Sequence, residues 1–127
     1  MISYVTIGAL DTAASVAFYD AVLGAVGYAR TFFDAGWAGY SPGGEGAQMI
    51  YLCPPFDGQP ARPGNGIMIG FAADSREAVD AAHAAALASG GTDEGAPGPR
   101  PPESTTTYAA YMRDPTGNKL AVVWMQG

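Results

Sequence analysis

Apolar and polar side chains alternate at the start of the chain, and the alternation then changes to a helical spacing. In residues 2–9, Val5 and Ile7 point to one side and Tyr4 and Thr6 to the other. A period of two is typical of a strand that packs on one face. The pattern therefore predicts a first strand.

A helix is predicted next, because apolar residues recur three or four positions apart. These positions are Val16, Tyr19, Leu23 and Val26, and Phe18 and Val22 widen the stripe. Asp11 or Thr12 can cap the helix, since a side-chain oxygen there can accept from a free backbone N–H. Gly24 and Gly27 indicate its end.

Three short strands are predicted to follow, at about 28–33, 36–41 and 47–53, separated by glycine and proline. Residues 54–66 contain so much proline and glycine that regular structure is excluded, because proline removes donors and glycine adds backbone freedom. We interpret this segment as a linker.

The second half of the chain repeats the same order of predicted strands and helix. A strand over 67–71 leads to a capping box, Asp74–Glu77, and to an alanine-rich helix that runs to Ser89. Residues 92–104 hold at most one short edge strand. The last two strands are predicted at 105–113 and 119–125.

The order β-α-β-β-β thus occurs twice, with a short echo between Ile7–Thr12 and Ile69–Ser75. The prediction is an α+β fold of two βαβββ modules with mixed sheets. The 127 residues form one domain, with module one at about 1–56 and module two at about 64–127.

Composition narrows the class of partner. The net charge is −6 and no basic run occurs, which argues against nucleic acid and anionic membranes and mildly favours cationic small molecules. No stretch is apolar enough to span a bilayer, and no signal-peptide flank is present. Cys53 is the single cysteine, which predicts a buried residue without a disulfide. We therefore expect a soluble cytoplasmic protein.

Three motifs carry a family resemblance: Phe18-Tyr19, Gly64-Asn65-Gly66, and the turn Asp114-Pro115-Thr116-Gly117-Asn118 between two apolar strands. Proline and glycine in that turn are typical of a tight hairpin. The stretch resembles the closing hairpin of the glyoxalase / bleomycin-resistance / extradiol-dioxygenase group, the vicinal oxygen chelate superfamily. The resemblance covers almost the whole chain and implies two modules whose curled sheets enclose a shared cleft, and a homodimer.

The positions that hold metal in many members of this family carry other residues here. They are Tyr4 in the first strand, Met68 in the second module and Ala121 in the last strand. The only histidine, His83, lies mid-helix, where a partly solvated residue away from the cleft is expected. A non-haem metal site needs converging imidazoles and carboxylates, so no metal and no cofactor are predicted.

No nucleophile elbow, zinc-binding helix or phosphate loop is present. Acid–base chemistry remains open through Glu45, Asp57, Glu103 or Asp114, although Asp114 is better explained as a turn former. Catalytic residues are therefore not assigned.

Aromatic and apolar side chains dominate the expected cleft, and aromatics with a polar tip suit a small-molecule pocket. The candidate ligand-binding residues are Tyr4, Trp37, Tyr51, Met68, Tyr108, Tyr111 and Ala121. The leading hypothesis is a metal-free protein that binds a small aromatic or amphipathic molecule, with drug sequestration as one version. The alternative is a lyase- or isomerase-type enzyme that uses tyrosine and carboxylate side chains, or, less favoured, a divalent metal.

Overall fold

The computed structural model describes residues 1–127 and contains two helices and eight strands. The first module comprises β1 (Tyr4–Gly8), α1 (Thr12–Gly24), β2 (Ala29–Asp34), β3 (Trp37–Ser41) and β4 (Met49–Cys53). The second comprises β5 (Ile69–Ala72), α2 (Arg76–Ala88), β6 (Thr92–Pro99), β7 (Thr107–Arg113) and β8 (Lys119–Met125).

Each module forms one four-stranded mixed sheet with the same strand order. The first is β1-β4-β3-β2 and the second is β5-β8-β7-β6. In each module the first strand pairs in parallel with the last strand of that module, β1 with β4 and β5 with β8. The other pairs of neighbouring strands are antiparallel. The predicted α+β fold of two βαβββ modules is confirmed.

The helices begin where side-chain caps are available. Asp11 accepts from Ala14 N–H at the start of α1, as predicted. At the start of α2 the cap is Ser75, which accepts from Ala78 N–H, so the expected box from Asp74 to Glu77 is wrong by one position. Neither helix is long and apolar enough to cross a membrane.

Two segments of the second sheet differ from the prediction. The β6 strand spans eight residues rather than a short stretch, and two register shifts bend it against β7. The β5 strand begins at Ile69, which leaves Ile67 outside the sheet and 63% exposed. Proline and glycine within β6 are tolerated because it is an edge strand.

The core lies between the two helices and one face of each sheet, which we call the helix face. Val16, Phe18, Tyr19, Val22 and Leu23 are buried on α1, as the helical spacing predicted. The opposite face of each sheet, here the open face, carries no helix.

Close approach of the two modules requires glycine at position 91. A Cβ there would lie 2.5 Å from the Phe18 ring and 2.8 Å from the carbonyl oxygen of Ala86. The backbone after α2 therefore contacts a core aromatic of α1 directly.

The turn at residues 114–118 fastens module two to module one. Thr116 Oγ1 accepts from Leu10 N–H at 3.1 Å, and Asn118 Nδ2 donates to Gly8 O at 2.9 Å. Between them the Tyr19 hydroxyl donates to Asp114 Oδ2 at 2.7 Å. We call this set of contacts the module clasp.

Candidate ligand-binding site

Four aromatic side chains share the open face of the first sheet. Tyr51 lies at the centre, with ring centroids of Tyr4 at 5.7 Å, Phe32 at 6.2 Å and Trp37 at 6.4 Å. Tyr4 is 59% exposed and Phe32 and Trp37 are about equally exposed, at 40% and 41%. We call these four residues the aromatic patch.

Strand alternation explains the patch. Tyr51 lies between Ile50 and Leu52, which are buried on the helix face, so its ring must point to the open side. Gly39 pairs with both Tyr51 and Phe32, and a Cβ there would lie 2.5 Å from Phe32 Cε1. The missing side chain at Gly39 therefore leaves the space that the Phe32 ring fills.

Three of the predicted site residues, Tyr4, Trp37 and Tyr51, are brought together in this patch. Phe32 was not predicted to join them. The sequence does indicate that Phe32 lies in a hairpin, since it precedes a two-residue turn at Ala35 and Gly36. Its sheet face depends on its pairing with Gly39, which only the structure gives.

A cavity of about 330 Å³ adjoins the patch beside Trp37. It is also lined by Thr6 and Gly8 of β1, by Cys53 at the end of β4, and by the exposed Phe56. Burial raises the pKa of the Cys53 thiol, so it behaves as a small apolar group, as predicted.

The open face of the second sheet carries a different chemistry. The Tyr111 ring is flanked by two cations, with Arg100 Cζ 5.6 Å and Lys119 Nζ 5.8 Å from its centroid. Arg113 lies opposite Lys119 in the β7–β8 register. We call Arg100, Arg113 and Lys119 the basic face.

Met68 and Ala121, the two other apolar residues predicted for the site, lie in different surroundings. Met68 precedes β5, is 46% exposed and lines a cavity of about 220 Å³ with Thr6, Gly8 and Lys119. Ala121 is only 1% exposed and lies between Gly70 and Tyr111 in the sheet. Ala121 therefore supports the open face from within and is not at its surface.

Tyr108 requires a correction, because the structure places it on the helix face. Its hydroxyl donates to Asp80 of α2 at 2.7 Å, and Arg76 lies over its ring at 5.9 Å. The hydrogen bond to Asp80 raises the pKa of Tyr108. Tyr108 therefore binds α2 and does not share a face with Tyr111.

At the three positions where the resemblance implies metal ligands, the chain carries a phenol at Tyr4, a thioether at Met68 and a methyl group at Ala121. Only the phenol is a hard donor, and three ligands are the usual minimum for a protein metal site. No group of three His, Cys, Asp or Glu side chains is arranged to hold an ion. The donor set does not fit a catalytic divalent metal.

His83 is more buried than expected. It is 8% exposed, and its Nε2 lies 2.8 Å from Asp93 Oδ1 on β6, so the expectation of a partly solvated residue is wrong. The hydrogen bond with His83 lowers the pKa of Asp93. The pair ties α2 to the edge strand, on the side of the sheet away from the basic face.

Asp114 is a turn former, as predicted. Its Oδ1 accepts from the backbone N–H groups of Thr116, Gly117 and Asn118, each at 2.9 Å, and its Oδ2 accepts from Tyr19 and from Asn118 Nδ2. Burial, and then the neighbouring Asp114 carboxylate, raise the pKa of Tyr19 well above its ordinary value of 10.0. With five donors around it, Asp114 is a structural group.

The fold defines a class: proteins of two βαβββ modules, here with an aromatic surface on one sheet and cavities beside it. The model of the Glyoxalase/Bleomycin resistance protein/Dioxygenase superfamily matches residues 1–122, and the chain belongs to this superfamily. No curated protein matches the chain.

Solved structures agree with this assignment. A glyoxalase/bleomycin resistance protein from Albidiferax ferrireducens is 41% identical, with a TM-score of 0.87 and 98% of each chain covered. A glyoxalase/bleomycin resistance protein/dioxygenase family enzyme from Burkholderia phytofirmans is 24% identical, with a TM-score of 0.70 and 98% of each chain covered. Lactoylglutathione lyase from Agrobacterium tumefaciens is 23% identical, with a TM-score of 0.63, 98% of this chain and 92% of that chain covered. The last two likenesses concern the fold alone.

Proposed function

We propose that this protein binds a small aromatic or amphipathic molecule on the aromatic patch without the help of a metal ion. The observation that carries the proposal is a cluster of four aromatic rings, three of them exposed and Tyr51 partly buried at the centre, on a sheet face that no helix covers. Clustered exposed aromatics on a monomer surface are typical of a binding site, because burying them in water-excluding contact is favourable.

The chemistry of the donors supports binding without a metal. Tyr4 alone would offer a hard ligand at the three family positions, since Met68 and Ala121 bring a thioether and a methyl group. Asp114, a carboxylate at the module junction, already accepts five hydrogen bonds. Asp114 is therefore unsuited to act as a general base, which favours binding over turnover at this residue.

Sequestration of a drug-like molecule is the version of this function that we favour. It requires affinity alone, and apolar and aromatic area around Tyr51 supplies it. A homodimer in the cytoplasm is part of the proposal. It is supported by several other exposed apolar side chains, among them Ile2, Leu10 and Phe56. Light scattering that gives the mass of a single 13.0 kDa chain would remove the dimer from the proposal.

The test uses two neighbouring phenylalanines on β2. Phe32 points to the open face and belongs to the aromatic patch, whereas Phe33 pairs with buried Ala38 and points to the helix face. Their exposures are 40% and 43%, so they are matched in residue type, strand and exposure. The probe is phenylnaphthylamine, a neutral dye whose fluorescence rises in apolar surroundings.

We expect Phe32→Ala to weaken dye binding by about fivefold, since an aromatic contact contributes about 1 kcal/mol beyond its buried area. Phe33→Ala should leave the affinity within about twofold. Equal losses in the two variants would contradict the proposal. So would a dye affinity that falls when divalent ions are removed by a chelator and returns when one of them is restored.

A further inference from the structure

The distribution of positive charge is uneven in this acidic chain. Only six lysine and arginine residues are present against a net charge of −6, yet three of them form the basic face around Tyr111. Of these three, Arg113 is paired with Glu94, and Arg100 donates to the carbonyl oxygens of Ala96 and Pro99.

Lys119 differs from the other two because its ammonium makes neither an ion pair nor a hydrogen bond, whereas Arg113 has a carboxylate partner and Arg100 has two carbonyl acceptors. The pKa of Glu94 is lowered chiefly by the hydrogen bond from Arg113, and the charge of Lys119 lowers it to a lesser extent. The Lys119 charge is therefore only partly compensated. An ammonium has three N–H donors, and Lys119 has them free for a ligand.

Lys119 also lies where cavities meet. With Arg113 and residues 63–68 it lines a cavity of about 520 Å³, and with Thr6 and Gly8 it lines the cavity of about 220 Å³ next to Met68. Thr6 and Gly8 line the Trp37 cavity as well. The β1 strand, which also carries Tyr4 of the aromatic patch, thus lines both the cavity beside Trp37 and the cavity beside Lys119.

We propose that the ligand of the aromatic patch carries an anionic group, a carboxylate, sulfonate or phosphate, that binds Lys119. The inference rests on the proposed function and names the chemistry of its ligand. An ion pair with a free ammonium at the mouth of a cavity is shorter and stronger than a neutral hydrogen bond.

The net charge of −6 attracts a cationic ligand through charges that mostly lie far from the binding site. Charges beyond about 8 Å are largely screened at physiological ionic strength, so the groups that touch the ligand decide its sign. Around Tyr111 three cationic side chains face one carboxylate, Glu94. The local preference is therefore opposite to the preference expected from the whole chain.

A pair of dyes tests the inference. Anilinonaphthalene sulfonate and phenylnaphthylamine share the same aromatic body and differ by one sulfonate. Titrations measure both affinities for the wild type, for Lys119→Gln, for Lys119→Arg, and for Arg62→Gln. The last variant is the matched control: it removes one positive charge from an arginine that takes part in no ion pair, in a separate cavity of the linker.

We expect Lys119→Gln to weaken sulfonate binding by about tenfold and to leave phenylnaphthylamine within about twofold, because only the sulfonate makes a charge-assisted hydrogen bond. Lys119→Arg should keep most of the sulfonate affinity, and Arg62→Gln should change neither dye. Unfolding temperatures of all variants, measured in parallel, report any loss of fold.

Two results would overturn the inference: equal sulfonate affinity in wild type and Lys119→Gln, or an equal loss of both dyes in that variant. In those cases, phenylnaphthylamine binding that is weakened by Phe32→Ala leaves the proposed function standing. If neither dye binds the wild type, the proposed function fails and the inference fails with it.

Discussion

The hydroxyl of Tyr19 offers a sharp test of how the two modules are held together. It belongs to a fully buried side chain on α1 and donates to Asp114 Oδ2, a carboxylate oxygen of module two, at 2.7 Å. Tyr19→Phe removes that single donor and keeps the ring, which packs against Phe18 at 4.9 Å. The change therefore isolates one hydrogen bond across the junction.

The magnitude follows from the environment of the bond. A hydrogen bond to a charged group contributes about 1.5–3 kcal/mol net, and Asp114 keeps four other donors, so we take about 2 kcal/mol. For a chain of this size each kcal/mol lowers the melting temperature by about 4 °C, which gives a loss of about 8 °C.

Urea unfolding measures the effect, with the midpoint shifted and the slope unchanged. Tyr28→Phe is the matched control: its ring packs against Phe71, but burial alone raises its pKa, and no hydrogen bond contributes. That variant should stay within about 0.5 kcal/mol of the wild type.

A double-mutant cycle with Asp114→Asn separates the shared bond from general damage. If Tyr19 and Asp114 act through their bond, the coupling free energy should be about 1 kcal/mol or more. Additive losses, or a Tyr19→Phe variant as stable as Tyr28→Phe, would refute the reasoning that this bond holds the modules together.

Because the pKa of Tyr19 is raised in the folded state, the free energy of unfolding should depend on pH in the alkaline range. Above the ordinary value of 10.0 the unfolded chain releases the Tyr19 proton before the folded chain does. The stabilisation is therefore fully present below that pH and is lost as the pH rises. The difference in unfolding free energy between wild type and Tyr19→Phe should therefore shrink between about pH 9 and pH 11 in urea titrations, and a constant difference would contradict it. Gly91→Ala should destabilise the fold by about 2 kcal/mol or more, because its Cβ would meet Arg113 O at 2.7 Å and Ala86 O at 2.8 Å. Gly24→Ala, at a helix position where a Cβ meets nothing within 4 Å, should be neutral or stabilising by about 0.5–1 kcal/mol. Urea unfolding of both glycine variants measures these changes, and equal stability of the two would contradict them.

Elements that depend on local periodicity were predictable from the sequence. The stripe on α1 and the alternation in β1 depend on neighbours a few residues away, and both lie where they were predicted. The turn at 114–118 was equally accessible, because proline and glycine fix its backbone. Its role as a clasp was not, since Leu10 and Gly8 lie more than a hundred positions away.

One wrong prediction, the sheet face assigned to Tyr108, could have been avoided by following the alternation of side chains along the strand. Tyr108 and Tyr111 are three residues apart in one strand, so they point to opposite faces, and the prediction that both line the site was inconsistent with their spacing. Alternation alone could not assign Phe32 to a sheet face, because a register shift between Arg30 and Phe32 changes which residues lie opposite Gly39.

The basic face could be recognised only after folding. Arg100, Arg113 and Lys119 are separated by thirteen and six positions along the chain, with no cluster in the sequence. Antiparallel pairing of β7 and β8 places Arg113 opposite Lys119, and the bend in β6 brings Arg100 over Tyr111. Net charge alone therefore suggested the opposite sign of ligand.

At the boundary between the turn and β8, a residue of the module clasp is followed directly by the residue proposed to bind the ligand. Asn118 donates to Gly8 O across the module junction, and Lys119 is the next residue. The hydrogen bond of Asn118 helps to fix the backbone next to Lys119 before the ligand arrives, which lowers the backbone part of the entropic cost of binding. The same proximity means that substitutions within the clasp would disturb stability and affinity together. Phe32 and Lys119 lie outside the clasp contacts, so changes there can report on the ligand separately from the fold.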